Sequence, residues 1–476
     1  MKTVVLALAA TLLGCACTAG PDYRKPALDL PVAWKVEAPW REGTPNDATA
    51  KGPWWLGFND PQLNALEARA LAGNPTLAIA NARLAQARSA LAAATASIYP
   101  QVGISARDVR TRITQNRPLS GYATPNFSVA QTDMAGLVTA SYEADLSGRV
   151  QRTIEGARAS AGQSAADLEN TRLVLTADLA TAYFNLRALD IELDVLQRSI
   201  DLQRRALGLA TERHDLGATS GLDVAQQQAL LDSTLTQVDV IKKQRSQFEH
   251  AIATLTGTAA PVFALAPDVK LLVPPSVPLG VPSDVLERRP DVASAERAMA
   301  AANAQIGVAN AAFYPSILLS GSAGHESRAL PLLFDAPSLI WSLGVSLTQP
   351  LFDGGRIRAN VDNASAGYEA AVANYRRVVL TAMQEVEDGI TGLAALERAH
   401  AQAIAATQSA YKVLDIATSR YEGGIATYLD VITAQQGLLS SERLAAQLAG
   451  QRLLTAVFLV KALGGGWSGG GAVASQ

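Results

Sequence analysis

An internal duplication constrains the fold of this chain more than any other feature of its sequence. Residues 74–100 match residues 289–315 at an offset of 215, and both segments end in Tyr-Pro. Further along, Leu222-Asp223-Val224 matches Leu429-Asp430-Val431 at an offset of 207. The repeating unit, of about 180 residues, is much longer than the unit of a solenoid, so it indicates that half of a fold has been duplicated.

The duplication divides the 476 residues into six predicted segments. A stretch rich in proline separates the two copies, as is typical of a linker. In chain order the segments are a signal peptide at 1–14, an N-terminal lipid-anchored segment at 15–73, the first copy at 74–257, the Pro-rich linker at 258–288, the second copy at 289–464 and a Gly-rich tail at 465–476.

Each copy has the same predicted order of elements: a helix, two strands, a very long helix, a tight turn and a returning helix. The long helices are predicted at 149–215 and 356–422. In the first of them, apolar residues recur every seven positions from Leu168 to Leu196 and again from Leu179 to Leu207. This spacing is typical of a coiled-coil seam, so each copy is predicted to contain a long helical hairpin.

The strands are predicted from alternation of apolar and small polar residues. The pattern is clearest at 341–348, where Trp, Leu, Val and Leu alternate with Ser, Gly, Ser and Thr. The preceding strands are predicted near 101–113 and 316–323, and the connections at 114–133 and 324–338 are predicted to be exposed loops because they are rich in Gly, Pro, Ser and Asn.

Four strands cannot close a barrel, since about eight is the practical minimum. One apolar face and one hydroxyl-rich face suit a wall between lipid and water, where open strand edges are not tolerated. Other subunits must therefore complete the strands: two chains would give eight strands around a filled interior, and three would give twelve around an open one. The alternative is a pair of soluble hairpins packed on helices.

The composition excludes several classes of protein. Lys plus Arg number 40 against 43 Asp plus Glu, so there is no general footprint for nucleic acid. Both cysteines lie near the N-terminus, which excludes a disulfide scaffold or a catalytic thiol in the body of the chain. No phosphate-binding loop, GxSxG or HExxH motif is present, and the four histidines are scattered. We therefore predict no catalytic residues, no metal site and no cofactor.

The N-terminus reads as a secretory signal that ends in a lipidation site. Lys2 precedes an apolar run from Val4 to Leu13, which is too short to span a bilayer. Leu12-Leu13-Gly14 followed by Cys15 is similar to a bacterial lipobox, so Cys15 is the predicted acylated residue, with Cys17 as the alternative. The mature protein is predicted to be exported.

Several motifs resemble a known family. Residues 20–26 (GPDYRKP), 54–66 (WWLGFNDPQLNAL), 285–297 (VLERRPDVASAER) and 349–361 (QPLFDGGRIRANV) are similar to the NodT-type lipoprotein branch of the outer membrane factors, the TolC-like channels. The resemblance implies a mainly α fold: long coiled-coil hairpins form a periplasmic α-barrel, and four transmembrane β-strands per chain complete a twelve-stranded barrel in a homotrimer.

The resemblance also implies a function. We expect a lipid-anchored channel in the outer membrane of a Gram-negative bacterium that extends into the periplasm and passes small molecules from an inner-membrane pump and a periplasmic adaptor. Alternatives are a structural coiled-coil lipoprotein without transport, or a channel for type I protein secretion. A hydrolase would be a further class, but no motif supports one.

The site residues follow from the same resemblance. The turns after the two long helices are similar to the family's tips, which meet the adaptor, and the returning helices begin where the family narrows its periplasmic entrance. The expected docking residues are Gly217, Thr219, Gly424 and Thr427, and the expected gate residues are Leu429, Asp430 and Asp223. The family narrows its entrance with apolar and acidic rings, and some members carry a second acidic residue three or four positions after the first. Thr433 and Ala434 occupy those places here, so a second acidic ring is not expected. The alternative interpretation is that both aspartates cap the returning helices.

Overall fold

A computed structural model describes residues 19–25, 52–116, 128–270, 273–275 and 288–465. The predicted signal peptide, Cys15 and Cys17 lie outside these ranges, as do residues 276–287 of the predicted linker and 466–476 of the predicted tail.

Helices of equal length occur in the two halves of the chain. Matching pairs have 22, 67 and 35 residues, in the same order along both halves. The helices are α1 (Pro61–Gly73), α2 (Pro75–Ala96), α3 (Arg149–Asp215), α4 (Gly221–Leu255), α5 (Pro290–Ala311), α6 (Arg356–Glu422) and α7 (Tyr428–Ala462). Among the described residues, none of the helices is long and apolar enough to cross a membrane.

The strands form one antiparallel sheet in the order β1-β2-β3-β4. They are β1 (Gln101–Ile113), β2 (Val129–Ala144), β3 (Ser316–Ser327) and β4 (Leu339–Thr348). Residues 129–133 and 324–327 were predicted as loop but are strand, because the pairing continues past the regular alternation. Gly324 lies against the β2 backbone, where an added Cβ would be 2.0 Å from the Gly136 carbonyl oxygen. This glycine therefore permits a close approach of strands and does not mark a turn.

The described residues divide into two compact units. The first, which we call the sheet unit, contains 19–25, Leu84–Ser164 and Ala295–Tyr375, and so holds all four strands. The second, which we call the hairpin unit, contains the described parts of 27–83, Ala165–Ser294 and Arg376–Gln476. Both units draw on both halves of the sequence.

Local signals explain where the long helices begin. In α3 the amide of Gln151 donates to the Asp145 carboxylate at 2.8 Å, and in α6 the amides of Gly355 and Ile357 donate to Asp353 at 2.9 and 2.8 Å. A carboxylate at a helix N-terminus satisfies donors that have no partner within the helix. The two halves therefore start their long helices by the same device.

The heptad positions of α3 face the core as predicted. Leu179, Leu186 and Leu196 are fully buried, and the equivalent spacing in α6 buries Val379 and Val386. The segment with the WWLGFNDP motif packs on the same helix: the Tyr183 hydroxyl donates to the Asp60 carboxylate at 2.6 Å, and Asp60 also caps α1. The seam and this segment together build the core of the hairpin unit.

One acidic side chain in this core has no partner. Glu67, on the buried face of α1, is 0% exposed, and neither of its carboxylate oxygens has a hydrogen-bond partner. Burial raises the pKa of its carboxyl from 4.5 to about 9. Because the folded state then prefers the protonated form, this group makes folding less favourable as the pH rises from the unfolded pKa towards the folded one.

We predict that Glu67→Gln stabilises the protein at neutral pH. The difference in the free energy of unfolding should be small near pH 5 and should grow by about 1.4 kcal/mol per pH unit up to about pH 8. The measurement is the thermal unfolding midpoint of both proteins in detergent across this range. Glu369→Gln makes the same chemical change at an exposed helical position and should show no such pH dependence. A gain from Glu67→Gln that does not change with pH would contradict the prediction.

Candidate functional site

The two ends of the helical hairpins carry the predicted docking residues, and their backbones are nearly identical. Gly217 and Gly424 both have φ of +73°. In the first turn the amide of Ala218 donates to the Arg213 carbonyl at 2.8 Å, and in the second the amide of Ile425 donates to the Arg420 carbonyl at 2.8 Å. This bond pattern with a left-handed glycine closes a helix end and satisfies its last carbonyl groups. We call the turns 216–220 and 423–427 the first and second tip.

Both tips expose apolar side chains. Leu216 is 83% exposed and Ile425 is 73% exposed, each directly beside the left-handed glycine. A Cβ added at Gly217 or Gly424 would meet no atom within 4 Å, so the space beside each glycine is open. The sequence analysis did not identify Leu216 or Ile425 as candidates, because the equivalent residues in the other copy, Gly423 and Ala218, are small.

The threonines predicted for docking are hydrogen-bonded to the aspartates predicted for the gate. The Thr219 hydroxyl donates to the Asp223 carboxylate. In the second tip, the backbone N–H and the hydroxyl of Thr427 donate to Asp430 Oδ2 at 2.9 and 2.8 Å. The carboxylates thus help to close the N-termini of α4 and α7, in agreement with the capping interpretation.

Capping leaves the predicted gate residues on the surface of the single chain. Asp430 is exposed and Leu429 is 56% exposed, whereas Asp223 is half-buried. The two aspartates therefore differ in exposure despite their equivalent places in the repeat.

A cluster of aromatic and amide side chains fixes the second tip. The rings of Tyr421 and Tyr428 lie 5.0 Å apart between centroids, and the Arg213 guanidinium lies 4.8 Å above the Tyr421 ring. The Tyr428 hydroxyl donates to Gln227 Oε1 at 2.9 Å, and Gln227 Nε2 donates to the Gln203 carbonyl at 3.1 Å. These contacts connect α3, α4, α6 and α7, because each of these helices contributes at least one partner.

The cluster also stays uncharged at its centre. Burial, followed by the nearby Tyr421 and Asp223, raises the pKa of Tyr428 to about 12. Its hydroxyl therefore remains a donor over the pH range of living cells.

The first tip has different residues at the two equivalent aromatic positions. His214 stands where the second copy has Tyr421, and Gly221 stands where it has Tyr428. The His214 ring lies beside Gly221, and its Nδ1 is 3.1 Å from the Thr219 carbonyl oxygen. The first tip therefore has a histidine beside a glycine in place of the pair of tyrosine rings that packs at the second tip.

The described part of the chain contains no group of three or more His, Cys, Asp or Glu side chains placed to hold a metal ion. The arrangement at the tips offers hydrogen-bonded carboxylates and exposed apolar side chains. These features suit contact with another protein better than chemistry on a bound substrate.

Comparison with known proteins identifies relatives of this chain. The model of the outer membrane efflux protein family matches residues 66–258 and 281–465. The chain is 32% identical over 469 residues to the pyoverdine export outer membrane protein OpmQ of Pseudomonas aeruginosa, covering 98% of this chain and 97% of the relative. It is 31% identical over 465 residues to the outer membrane protein OprJ of the same species, covering 97% and 95%.

Solved structures agree with these relatives. The outer-membrane channel OprN superposes with a TM-score of 0.86 at 28% identity, covering 95% of this chain and 100% of that one. The Campylobacter jejuni CmeC outer membrane channel gives a TM-score of 0.85 at 26% identity, covering 96% of each chain.

The likeness confirms the predicted fold class: long helical hairpins, with four transmembrane strands per chain that a trimer completes to twelve. It also confirms the location in the outer membrane of a Gram-negative bacterium and the role as the outer-membrane channel of an efflux system. Since the family model matches both halves of the duplication and most of the chain, the chain belongs to the outer membrane efflux protein family, a family of channel proteins.

Proposed function

We propose that this channel receives small organic molecules from an inner-membrane pump through a periplasmic adaptor, and that it acts as a conduit without catalytic activity. The proposal rests on the apolar side chains that are exposed at the two tips. The names of relatives support the class of cargo, since one exports pyoverdine and another, from Pseudomonas putida, belongs to a toluene efflux pump.

The tips are suited to contact with an adaptor for two physical reasons. Leu216 and Ile425 are large apolar side chains that water surrounds in the isolated chain, so burying them against a partner is favourable. The open space beside Gly217 and Gly424 lets a partner backbone approach closely, which a side chain there would prevent.

We predict that Gly217→Asn combined with Gly424→Asn strongly reduces export while trimers still form. Asparagine tolerates the left-handed conformation better than other side chains do, so the change adds bulk with little backbone strain. Export, measured as drug tolerance of a strain lacking its own channel, should fall by about tenfold or more, the effect of losing about 1.4 kcal/mol of docking energy.

The matched control is Gly208→Asn, an exposed position in α3 where an added Cβ also meets no atom within 4 Å. Trimers are counted on gels for all variants. Normal export by the double tip variant would rule out docking at these glycines.

The proposed gate is a ring of three Asp430 carboxylates with Leu429 beside it. Both residues are exposed in the single chain, and the Thr427 hydrogen bonds hold the Asp430 side chain in one orientation. Like charges that converge on a threefold axis attract cations and bind basic groups. Asp223, which is half-buried, has a smaller part in this proposal.

We predict that Asp430→Ala raises single-channel conductance in planar bilayers or weakens selectivity for cations, and that Asp223→Ala has a smaller effect. Thr427→Val is the control, because it weakens the cap but keeps the charge. It should lower stability by about 1 kcal/mol without changing selectivity. If Asp430→Ala behaves as Thr427→Val does, the aspartate acts only as a cap.

The proposed lipid anchor fits the attachment of the chain that follows it. The Ala19 amide donates to the Ser147 carbonyl at 3.0 Å, in the turn between β2 and α3, and Arg152 donates to the carbonyl oxygens of Ala19 and Gly20. Ala19 is four positions after Cys15 in the sequence, a reach of at most about 14 Å. A lipid on Cys15 can therefore enter the leaflet at the helix-proximal end of the strands.

We predict that mass spectrometry of the mature protein finds an acylated N-terminal Cys15. Cys15→Ser should impair sorting to the outer membrane more than channel conductance, because the strands also hold the protein in the bilayer. Cys17→Ser should be processed normally. An unmodified N-terminus, or a lipid on Cys17, would overturn the assignment to Cys15.

A further inference from the structure

The two faces of β4 have opposite character, apolar on one side and mostly small and polar on the other. On one face of β4, the side chains of Trp341, Leu343, Val345 and Leu347 are all more than 60% exposed. In the closed barrel this apolar face contacts lipid, so the alternate residues of every strand line the channel. The strand register then assigns Arg107 of β1, Asp133 of β2 and Glu326 of β3 to the channel-lining face.

These three side chains form one connected cluster across three strands. The Arg107 guanidinium lies 2.7 Å from Asp133 Oδ2 and 3.5 Å from Glu326 Oε1. Ala135 pairs with Arg107 on one side and with Glu326 on the other, and it is only 4% exposed. The side chains of Arg107 and Glu326 therefore cover Ala135. Their contact holds the charged groups in place on the channel wall.

The cluster sets the charge of this face in the described strands. In these strands, the only other charged residue on the channel-lining face is Glu143, at the end of β2 next to α3. Arg149 donates two hydrogen bonds to Glu143, at 2.8 and 2.6 Å. The cluster contains two carboxylates and one guanidinium, so each chain contributes one uncompensated negative charge at this level.

The cluster lies in the half of the sheet remote from the helices. The row formed by Arg107, Ala135 and Glu326 is one residue beyond the last pair of β3 with β4, His325 with Leu339. A threefold axis repeats the cluster three times around the channel.

We propose that Arg107, Asp133 and Glu326 form a charge filter in the barrel, which favours cationic and zwitterionic solutes over anions as they leave the channel. The inference rests on the proposed function as a conduit. A ring of carboxylates on the wall of a pore raises the local concentration of cations and repels anions. The positive charge of Arg107 partly offsets the negative potential of the carboxylates, and its ion pairs orient the side chains of Asp133 and Glu326.

The test is the reversal potential of single channels in planar bilayers under a KCl gradient. Asp133→Asn and Glu326→Gln should each lower the ratio of potassium to chloride permeability by about twofold or more, and Arg107→Gln should raise it. Arg107→Lys keeps the charge and should stay close to wild type. Trimer content is checked for every variant.

Asp108→Asn provides a matched control. It removes the same charge one residue from Arg107, but Asp108 pairs with Met134 on the opposite face of the sheet, so selectivity should not change. If Asp133→Asn and Glu326→Gln conduct with wild-type selectivity, or shift it no more than Asp108→Asn does, the charge filter is refuted. Absence of conductance in the wild-type protein would refute the proposed conduit itself.

Discussion

The unpaired edges of the sheet determine most of what this protein must be. Within the described part of one chain, β1 and β4 each pair on one side only, and their other backbone groups have no partner in the sheet. Water could satisfy these groups, but hydrocarbon cannot, so the strands are stable in a membrane only when copies of the chain close the ring. Closure in turn gives every strand one face towards lipid and one towards the channel. The chemistry of the channel wall is thus a consequence of strand pairing.

The long helices are subject to a different constraint, because a helix of this length needs continuous burial along one face. A helix of 67 residues cannot be stabilised by propensity alone, and its continuous heptad positions supply the burial that it needs. The sequence predicted both long helices with the bounds that the structure shows, Arg149–Asp215 and Arg356–Glu422. This success has a local cause, since the caps, the seam and the terminating glycines all lie within or beside the element itself.

Features that depend on distant residues could not be predicted in the same way. The start of β2 and the end of β3 were missed, because the pairing of strands and not their own composition extends them. The cluster around Tyr428 was also missed, since it joins residues about 200 positions apart, and Glu67 gave no sign in the sequence that its carboxyl would lack a partner. The tip threonines and aspartates were predicted as site residues from family resemblance, but only the structure shows that they are hydrogen-bonded in pairs.

The two tips descend from one ancestral turn yet no longer carry the same side chains, with His214 and Gly221 in one and Tyr421 and Tyr428 in the other. Three chains would offer six tips of alternating kind. A ring of six identical adaptor subunits would then meet two sorts of site in turn, and neighbouring subunits would have to bind in different ways. Because of the duplication within the channel chain, a sixfold partner would contact two kinds of tip in alternation. Such a partner needs a contact surface that can bind two kinds of tip with different side chains.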